Sequence, residues 1–402
     1  MTVRAGYRAA PDGTILARPD RTRRAPRRRL PLRVILPILG TAALLVPLPF
    51  GASGPARTVP PAGAESVRVA AGERYAAGRL RRFLLGTRYR ELWTTPVTVR
   101  VLPLERFDGG LTVLREGGGL QTLSLHFASG NGRRFVFRST DKTLRLLPGP
   151  LHRSALGLLL QDHISASHPG AALVAGPLQE AIGFPSLAPG LVVLPDDPRL
   201  GAHRSRFAGL LGSIQERRLE AMGVEHLSTD SLLVRLDSGS NQRVDASSFL
   251  GARLLDFILN DWDRHPGQWH WVAVGSGAET RWRPLPVDRD QALSWYDGAL
   301  AGALRPLVPK LVTFGPEFPP LRALTANSKR LDRRFLTGIS KPEWDSVTTW
   351  VQHRLADPVL ERAVRTLPVE WWRISGPLIL ESLRARRDRL AEISDRFYRA
   401  LH

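Results

Sequence analysis

LLDFILNDWDRHPGQWHW, residues 254–271, and WRPLPVDRDQAL, residues 282–293, are the stretches that decide the fold and the chemistry. Phe249, Leu250, Leu254, Leu255, Ile258 and Leu259 recur at helical spacing, so residues 247–260 predict an amphipathic helix. It runs straight into Asp261-Trp262-Asp263-Arg264-His265. The interval to Asp288 is long enough for a hairpin that returns this second acid to Asp263. Asp290 shares the side of Asp288 if the segment is extended, because strand side chains alternate.

Phosphoryl transfer asks little covalent help of a protein. It needs a carboxylate to orient the acceptor hydroxyl, oxygen ligands for a divalent cation, and cations on the phosphates. Asp263, in a turn directly after the helix, is placed as the orienting base. Gln268 offers an amide oxygen, and Asp288 or Asp290 a carboxylate, to a hard cation such as Mg2+ or Mn2+. Plainer roles compete. Asp263 could cap the helix or pair with Arg264, and Asp288 and Asp290 could pair with Arg283 and Arg289 at the surface. His265 and His270, like His163 and His168, are five positions apart and could bind a transition metal, although roles in turns and loop ordering suit them better. Trp262, Trp269 and Trp271 read as core.

Toward the amino terminus the pattern changes. Val97, Val99 and Val101 alternate, as do Leu123, Leu125 and Phe127, and then Phe135 and Phe137. Asn131-Gly132 between the last two runs is a hairpin turn signal. Residues 66–92 read as helix through Ala71, Tyr75, Leu80, Phe83 and Leu84, a further helix covers about 151–168, and Gly190–Leu194 reads as a buried strand. Asp196-Asp197 marks either a connection between lobes or a solvated turn. From 319 onward the chain reads as helical, with Trp344, Trp350, Trp371 and Trp372 as anchors and a solvated arginine-rich face over 384–399. Strands first and helices later make an α+β arrangement.

The chain has 402 residues, no cysteine and a formal charge of +20. Thiol catalysis, disulfides and zinc–thiolate sites are excluded. Residues 1–33 hold ten arginines against Asp12 and Asp20, a net +8, which leaves about +12 spread along the remainder. A diffuse positive field attracts anions without choosing among them, so no specific nucleic-acid partner is expected. Residues 1–33 predict a basic cytoplasmic tail, 34–50 an apolar membrane anchor or signal segment, and 51–64 a linker outside the fold. That places the remainder outside the membrane, either tethered or exported after cleavage at Ala62-Gly63-Ala64.

The order Asn-x-x-Asp-Arg-His at 260–265, an amide at 268 and Pro-x-Asp-x-Asp at 286–290 resembles atypical kinases of the HipA and CotH type and the secretory-pathway casein kinase. Residues 70–400 also resemble the kinase-like region accompanying bacterial outer-membrane surface-antigen and metallophosphoesterase proteins, through GGGLQTLSL, FVFRSTDK, QDHISASHPGAAL, LPDDPRLG, DWDRHPGQWHW and PVDRDQAL. The resemblance implies a two-lobed protein-kinase-like fold, with a β-rich lobe at 65–198 and a helical lobe at 199–402. It implies Asp263 as base within the catalytic triplet Asp263, Arg264 and His265, and Gln268 and Asp288 as metal ligands. Arg138 sits where a kinase lysine would, and Lys142, one of only four lysines, shares its strand phase and is preferred. Its partner acid stays open among Asp162, Glu180 and Glu216. Gln268 replaces the usual Asn, and Gly117-Gly118-Gly119 is a glycine-rich loop without a nucleotide fingerprint. The implied function is Mg2+- and ATP-dependent transfer to an unknown protein or small-molecule acceptor. The alternatives are a non-catalytic envelope module and a metal-dependent hydrolase.

Overall fold

The structure is a computed structural model, and it describes residues 8–9, 15–16, 55, 57–61, 63–118, 121–143, 154–185, 189–217, 224–239 and 241–402. The chain forms two compact units, Met1–Val46 and Pro47–His402. Of the first, two short antiparallel strands are described, Arg8–Ala9 and Ile15–Leu16.

Alternating patterns give the seven strands of one sheet. They are β1 (Ser66–Val69), β2 (Val97–Val101), β3 (Leu111–Gly117), β4 (Ser124–Ser129), β5 (Arg134–Ser139), β6 (Gly190–Val193) and β7 (Leu211–Glu216). Their order across the sheet is β1-β2-β6-β7-β5-β4-β3. β4 and β5 form the antiparallel hairpin that Asn131-Gly132 predicts, with Gly132 at φ 79°. One face of β4, β5 and β7 sends Leu125, Phe127, Phe135, Phe137 and Ile214 into a separate apolar core with Leu200 and Phe207. The residues between them, Ser124, His126, Val136, Arg138, Ser213 and Gln215, line a cavity on the other face. β7 lies beyond residue 198, so the sheet takes strands from both sides of that position.

The predicted helix over 66–92 is corrected. Ser66–Val69 pairs antiparallel with β2, and only α1 (Arg79–Leu85) and α2 (Arg90–Thr94) are α-helical in that stretch. Val67 and Val69 find β2 thirty residues on, a pairing that local periodicity cannot reveal. α3 (Ala155–Asp162) and α4 (Ala171–Ala181) follow β5. The expected linker also reaches the fold, because Thr58 N donates to Gly209 O at 2.9 Å.

The second sheet contains β8 (His226–Ser228), β9 (Arg243–Val244), β10 (Trp269–Val274) and β11 (Arg281–Pro286), in the order β8-β10-β11-β9. Between β9 and β10 runs α5 (Ala246–Leu259), capped by Asp245, whose side chain accepts from Ser248 N at 3.0 Å. Every residue from Phe249 to Leu259 is buried, as in a helix enclosed on all sides. Around it pack α6 (Leu321–Thr325), α7 (Lys329–Leu336), α8 (Lys341–Arg354), α9 (Asp357–Val364), α10 (Val369–Asp388) and α11 (Leu390–Leu401). Trp344 and Trp371 anchor this core, and Trp350 is 43% exposed. The architecture is mixed α and β, as expected.

The expected membrane anchor is also corrected. Among the described residues no helix is long and apolar enough to cross a membrane, and residues 34–50 lie outside them. The longest described helix, α10, carries Arg373, Glu381, Arg384, Arg386, Arg387 and Asp388. The single-pass assignment is withdrawn.

Candidate functional site

α5 ends at Asn260, which adopts the left-handed conformation (φ 57°) common at helix ends and turns the chain toward the sheets. The next five residues divide by burial. Asp261 and Arg264 point into the protein, whereas Asp263 and His265 line the cavity. His265 Nδ1 accepts from Gly267 N at 3.1 Å, which caps the short turn Pro266–Gln268 and orders the loop. Gln268 Nε2 faces His265 Nε2 at 3.5 Å, turning the amide oxygen away from the imidazole.

β10 and β11 then form the hairpin implied by the spacing, with Trp269 opposite Pro286. Val287 N donates to Gln268 O at 3.0 Å, so the second acidic segment returns beside the first. Asp288 has φ 56°, a left-handed backbone, so it does not share an extended segment with Asp290. Both side chains nevertheless reach the cavity.

The cavity has a volume of about 620 Å³. It brings together Asp263, His265, Gln268, Asp288 and Asp290 from one side with Gly118, Arg138 and Lys142 from the other. Lys142 Nζ makes an ion pair with Asp290, which corrects the three candidate partners. Asp162 binds Arg81 and Arg90, Glu180 is exposed, and Glu216 lies 3.7 Å from Arg133. Lys142 is only 9% exposed, and its carbonyl accepts from Arg74 and from Gln161 on α3, each at 2.7 Å. Burial alone would lower its ammonium pKa, but Asp290, Asp288 and Asp263 hold it above the ordinary range. Asp288 is raised above the usual carboxylate range, first by repulsion from Asp290 and then by its recessed position.

Arg264 stands outside the cavity lining. It is fully buried, 4.5 Å over the Trp269 ring, and donates to Gln268 O at 3.0 Å, Val287 O at 2.9 Å and Asp288 O at 3.4 Å. It therefore fastens the two ligand-bearing segments together. Arg289 pairs with Asp256 and with Asp261 (3.0 Å), not with the cavity acids, and Arg283 donates to Gly183 O. Burial would raise the Asp256 carboxyl, but Arg289, Arg264 and Arg253 together hold it below its usual value. Asp261, with less compensation, is pushed up to about 6 by burial.

The glycine segment is shaped by packing. A Cβ on Gly117 would meet His126 Nε2 at 2.6 Å, and Gly118 (φ 124°) lies against Thr122 O. Gly119 lies outside the described residues. His163 stacks on Tyr296, and His168 is buried. Among the described residues no group of three or more His, Cys, Asp or Glu side chains could hold a metal ion. Asp196 pairs with Arg204, and Asp197 caps the turn that follows it, so both serve a local turn.

One site residue escaped sequence reasoning. Asn327, between α6 and α7, donates from Nδ2 to Asp263 Oδ1 at 2.7 Å. Its neighbour Ser328 accepts from Arg253 and donates to Asp332 in the buried ionic network. No local pattern marks Asn327, which is brought to the site only by the packing of the helices.

No protein-family model matches the chain, and no curated protein matches it in sequence. The structure is similar to that of the Helicobacter pylori proinflammatory kinase CtkA, at 11% identity and a TM-score of 0.37, covering 72% of this chain and 96% of that one. It is also similar to a chain of the Shewanella oneidensis MR-1 toxin–antitoxin complex of HipA, HipB and operator DNA. That match has 14% identity and a TM-score of 0.34, covering 85% of this chain and 75% of that one. Likenesses of this strength establish no shared activity.

Proposed function

We propose that the chain is a kinase-like phosphotransferase using a nucleotide triphosphate and a divalent cation, with Asp263 as the base. The observation that carries this is the convergence of Asp263, Gln268, Asp288, Asp290, Arg138 and Lys142 on one cavity. The donor set suits a hard cation. Gln268 and Asp288 supply oxygen, and the crowding of Asp288 by Asp290 is relieved by positive charge placed between them. A divalent cation, when bound there, supplies charge neutralisation for the phosphates. Lys142 and Arg138 hold phosphate oxygens, and Arg264 keeps the Gln268 and Asp288 backbones in register. Asp263, oriented by Asn327, accepts the proton of the acceptor hydroxyl as its oxygen bonds to the terminal phosphorus. The bond from that phosphorus to the bridging oxygen breaks, and the nucleoside diphosphate leaves.

The test is release of γ-phosphate from labelled ATP, to water or to the chain itself, in wild type and Asp263→Asn. A positioned base contributes on the order of 10²–10⁴-fold, so the variant should fall by about that factor while still binding Mg-ATP. Full activity in the variant would refute the assignment. A non-catalytic nucleotide-binding module is the second reading, favoured by the Lys142–Asp290 ion pair, which must open before Lys142 can meet a phosphate. It predicts Mg-ATP binding with no transfer in either protein.

A further inference from the structure

The same cavity has a second, oppositely charged end. Strand register defines its ceiling. His126 stands opposite Val136, and Val136 opposite Gln215, which makes one row across β4, β5 and β7. Ser124, Arg138 and Ser213 make the next row on the same face. Arg217, two residues beyond Gln215, lines the cavity with its guanidinium 3.3 Å from His126 Nδ1. The second sheet gives the floor. His226 and His270 are diagonal neighbours across β8 and β10, with ring centroids 6.2 Å apart.

The face of a sheet that closes on another element is ordinarily apolar, and the opposite face of these strands is. Here five of the six ceiling side chains are polar, so the surface suits a polar ligand rather than a packed core. The sign of its charge is set by Arg138 and Arg217. Among the described residues lining this end the only carboxylate is Glu216. It pairs in register with Phe135 and lies 3.7 Å from Arg133, which offsets its charge. His270 Nδ1 is enclosed and finds no hydrogen-bond partner among the described residues.

We propose that this end, formed by Arg217, His270, His126 and His226 beside Arg138, is a subsite for a phosphate-like oxyanion. Guanidinium groups match the geometry of phosphate oxygens, and imidazole N–H groups add directional donors. Nothing in the chemistry of Asp263 requires this subsite. Two sources share its ligand chemistry: a second phosphate carried by the nucleotide itself, and a phosphate on the acceptor.

The test is calorimetric titration of the full chain in EDTA, which keeps the acidic end free of divalent cations. The probes are inorganic phosphate, AMP and adenosine 3′,5′-bisphosphate, applied to wild type, Arg217→Gln, His270→Asn and Asp288→Asn. Wild type should bind phosphate, and loss of one charge-assisted hydrogen bond should weaken it by about tenfold or more in Arg217→Gln. His270→Asn should weaken it less, and Asp288→Asn should leave it intact. His270→Asn stands alone as the probe if Arg217→Gln does not fold. A bisphosphate that outcompetes AMP through Arg217 assigns the subsite to the nucleotide. Phosphate that still binds beside saturating AMP assigns it to the acceptor. Phosphate affinity unchanged in both Arg217→Gln and His270→Asn, or no phosphate binding to wild type, overturns the proposal. Because the titration omits the cation, either result is independent of whether the acidic end transfers phosphoryl.

Discussion

Replacing Arg264 should uncouple the two segments that carry Gln268 and Asp288. Arg264→Gln removes a fully buried guanidinium that donates to Val287 O at 2.9 Å and to Gln268 O at 3.0 Å, with a longer contact to Asp288 O. Hydrogen bonds to a charged donor contribute about 1.5–3 kcal/mol each, so the two short ones set a loss of roughly 3–6 kcal/mol. The charge balance points the same way. Asp256 and Asp261 would keep Arg289, and Asp256 also Arg253, but each would lose one counter-charge. Breaking a buried pair from one side costs about 3–5 kcal/mol. We therefore expect Arg264→Gln to lose about 4 kcal/mol, a large share of the 5–15 kcal/mol that holds a typical protein folded. Arg264→Lys keeps the charge but cannot reach carbonyls on two segments at once, and should recover less than half of the loss. Urea unfolding followed by tryptophan fluorescence reads both, since Trp269 lies under the guanidinium. An Arg264→Gln protein within 1 kcal/mol of wild type would refute the clamp.

Two further outcomes follow from single side chains. Asn327→Ala frees Asp263 Oδ1 from its 2.7 Å partner and should lower kcat on the order of tenfold with little change in the KM for nucleotide, read by steady-state kinetics. An equal rise in KM would mean that Asn327 serves binding instead. His168 Nδ1 accepts from Gly170 N and its Nε2 donates to Ser375 Oγ, each at 3.0 Å, so the native state holds the neutral ring and its pKa is lowered by burial to about 3. A folded-state pKa below the unfolded value of about 6.5 means stability present above pH 6.5 and lost as pH falls toward 3. At about 1.4 kcal/mol per unit, that loss reaches up to about 5 kcal/mol and should be absent in His168→Gln, as read by thermal melts at stepped pH.

Much of this was legible in the sequence, for identifiable reasons. The buried helix and the hairpin behind it are local events, so Leu254–Leu259 periodicity and the length of the interval to Asp288 predicted that Asp263 and Asp288 meet. Asn131-Gly132 likewise marked its hairpin by backbone chemistry alone. What stayed hidden depends on distant packing. Ser66–Val69 becomes a strand because β2 is there to pair with, and Lys142 meets Asp290 only when the sheet closes over the second acidic segment. Arg253 resembles any other arginine in an arginine-rich chain, and nothing local marks Arg264 and Arg289 as buried. Their burial comes from Asp256, Asp261 and Asp332, which the fold gathers from two separate stretches. The alternation in β4 and β5 shows which side chains are apolar, but nothing local shows that the polar row between them faces a cavity.

The most direct test of the central claim is the thermal stability of the full chain with and without ATP and magnesium, beside the Asp288→Ala variant. A ligand of the native state raises the melting temperature by mass action. An upward shift of several degrees is expected with both present, a small one with either alone, and none in Asp288→Ala. An equal shift in Asp288→Ala, or no shift in wild type with ATP, GTP, magnesium or manganese, would contradict it.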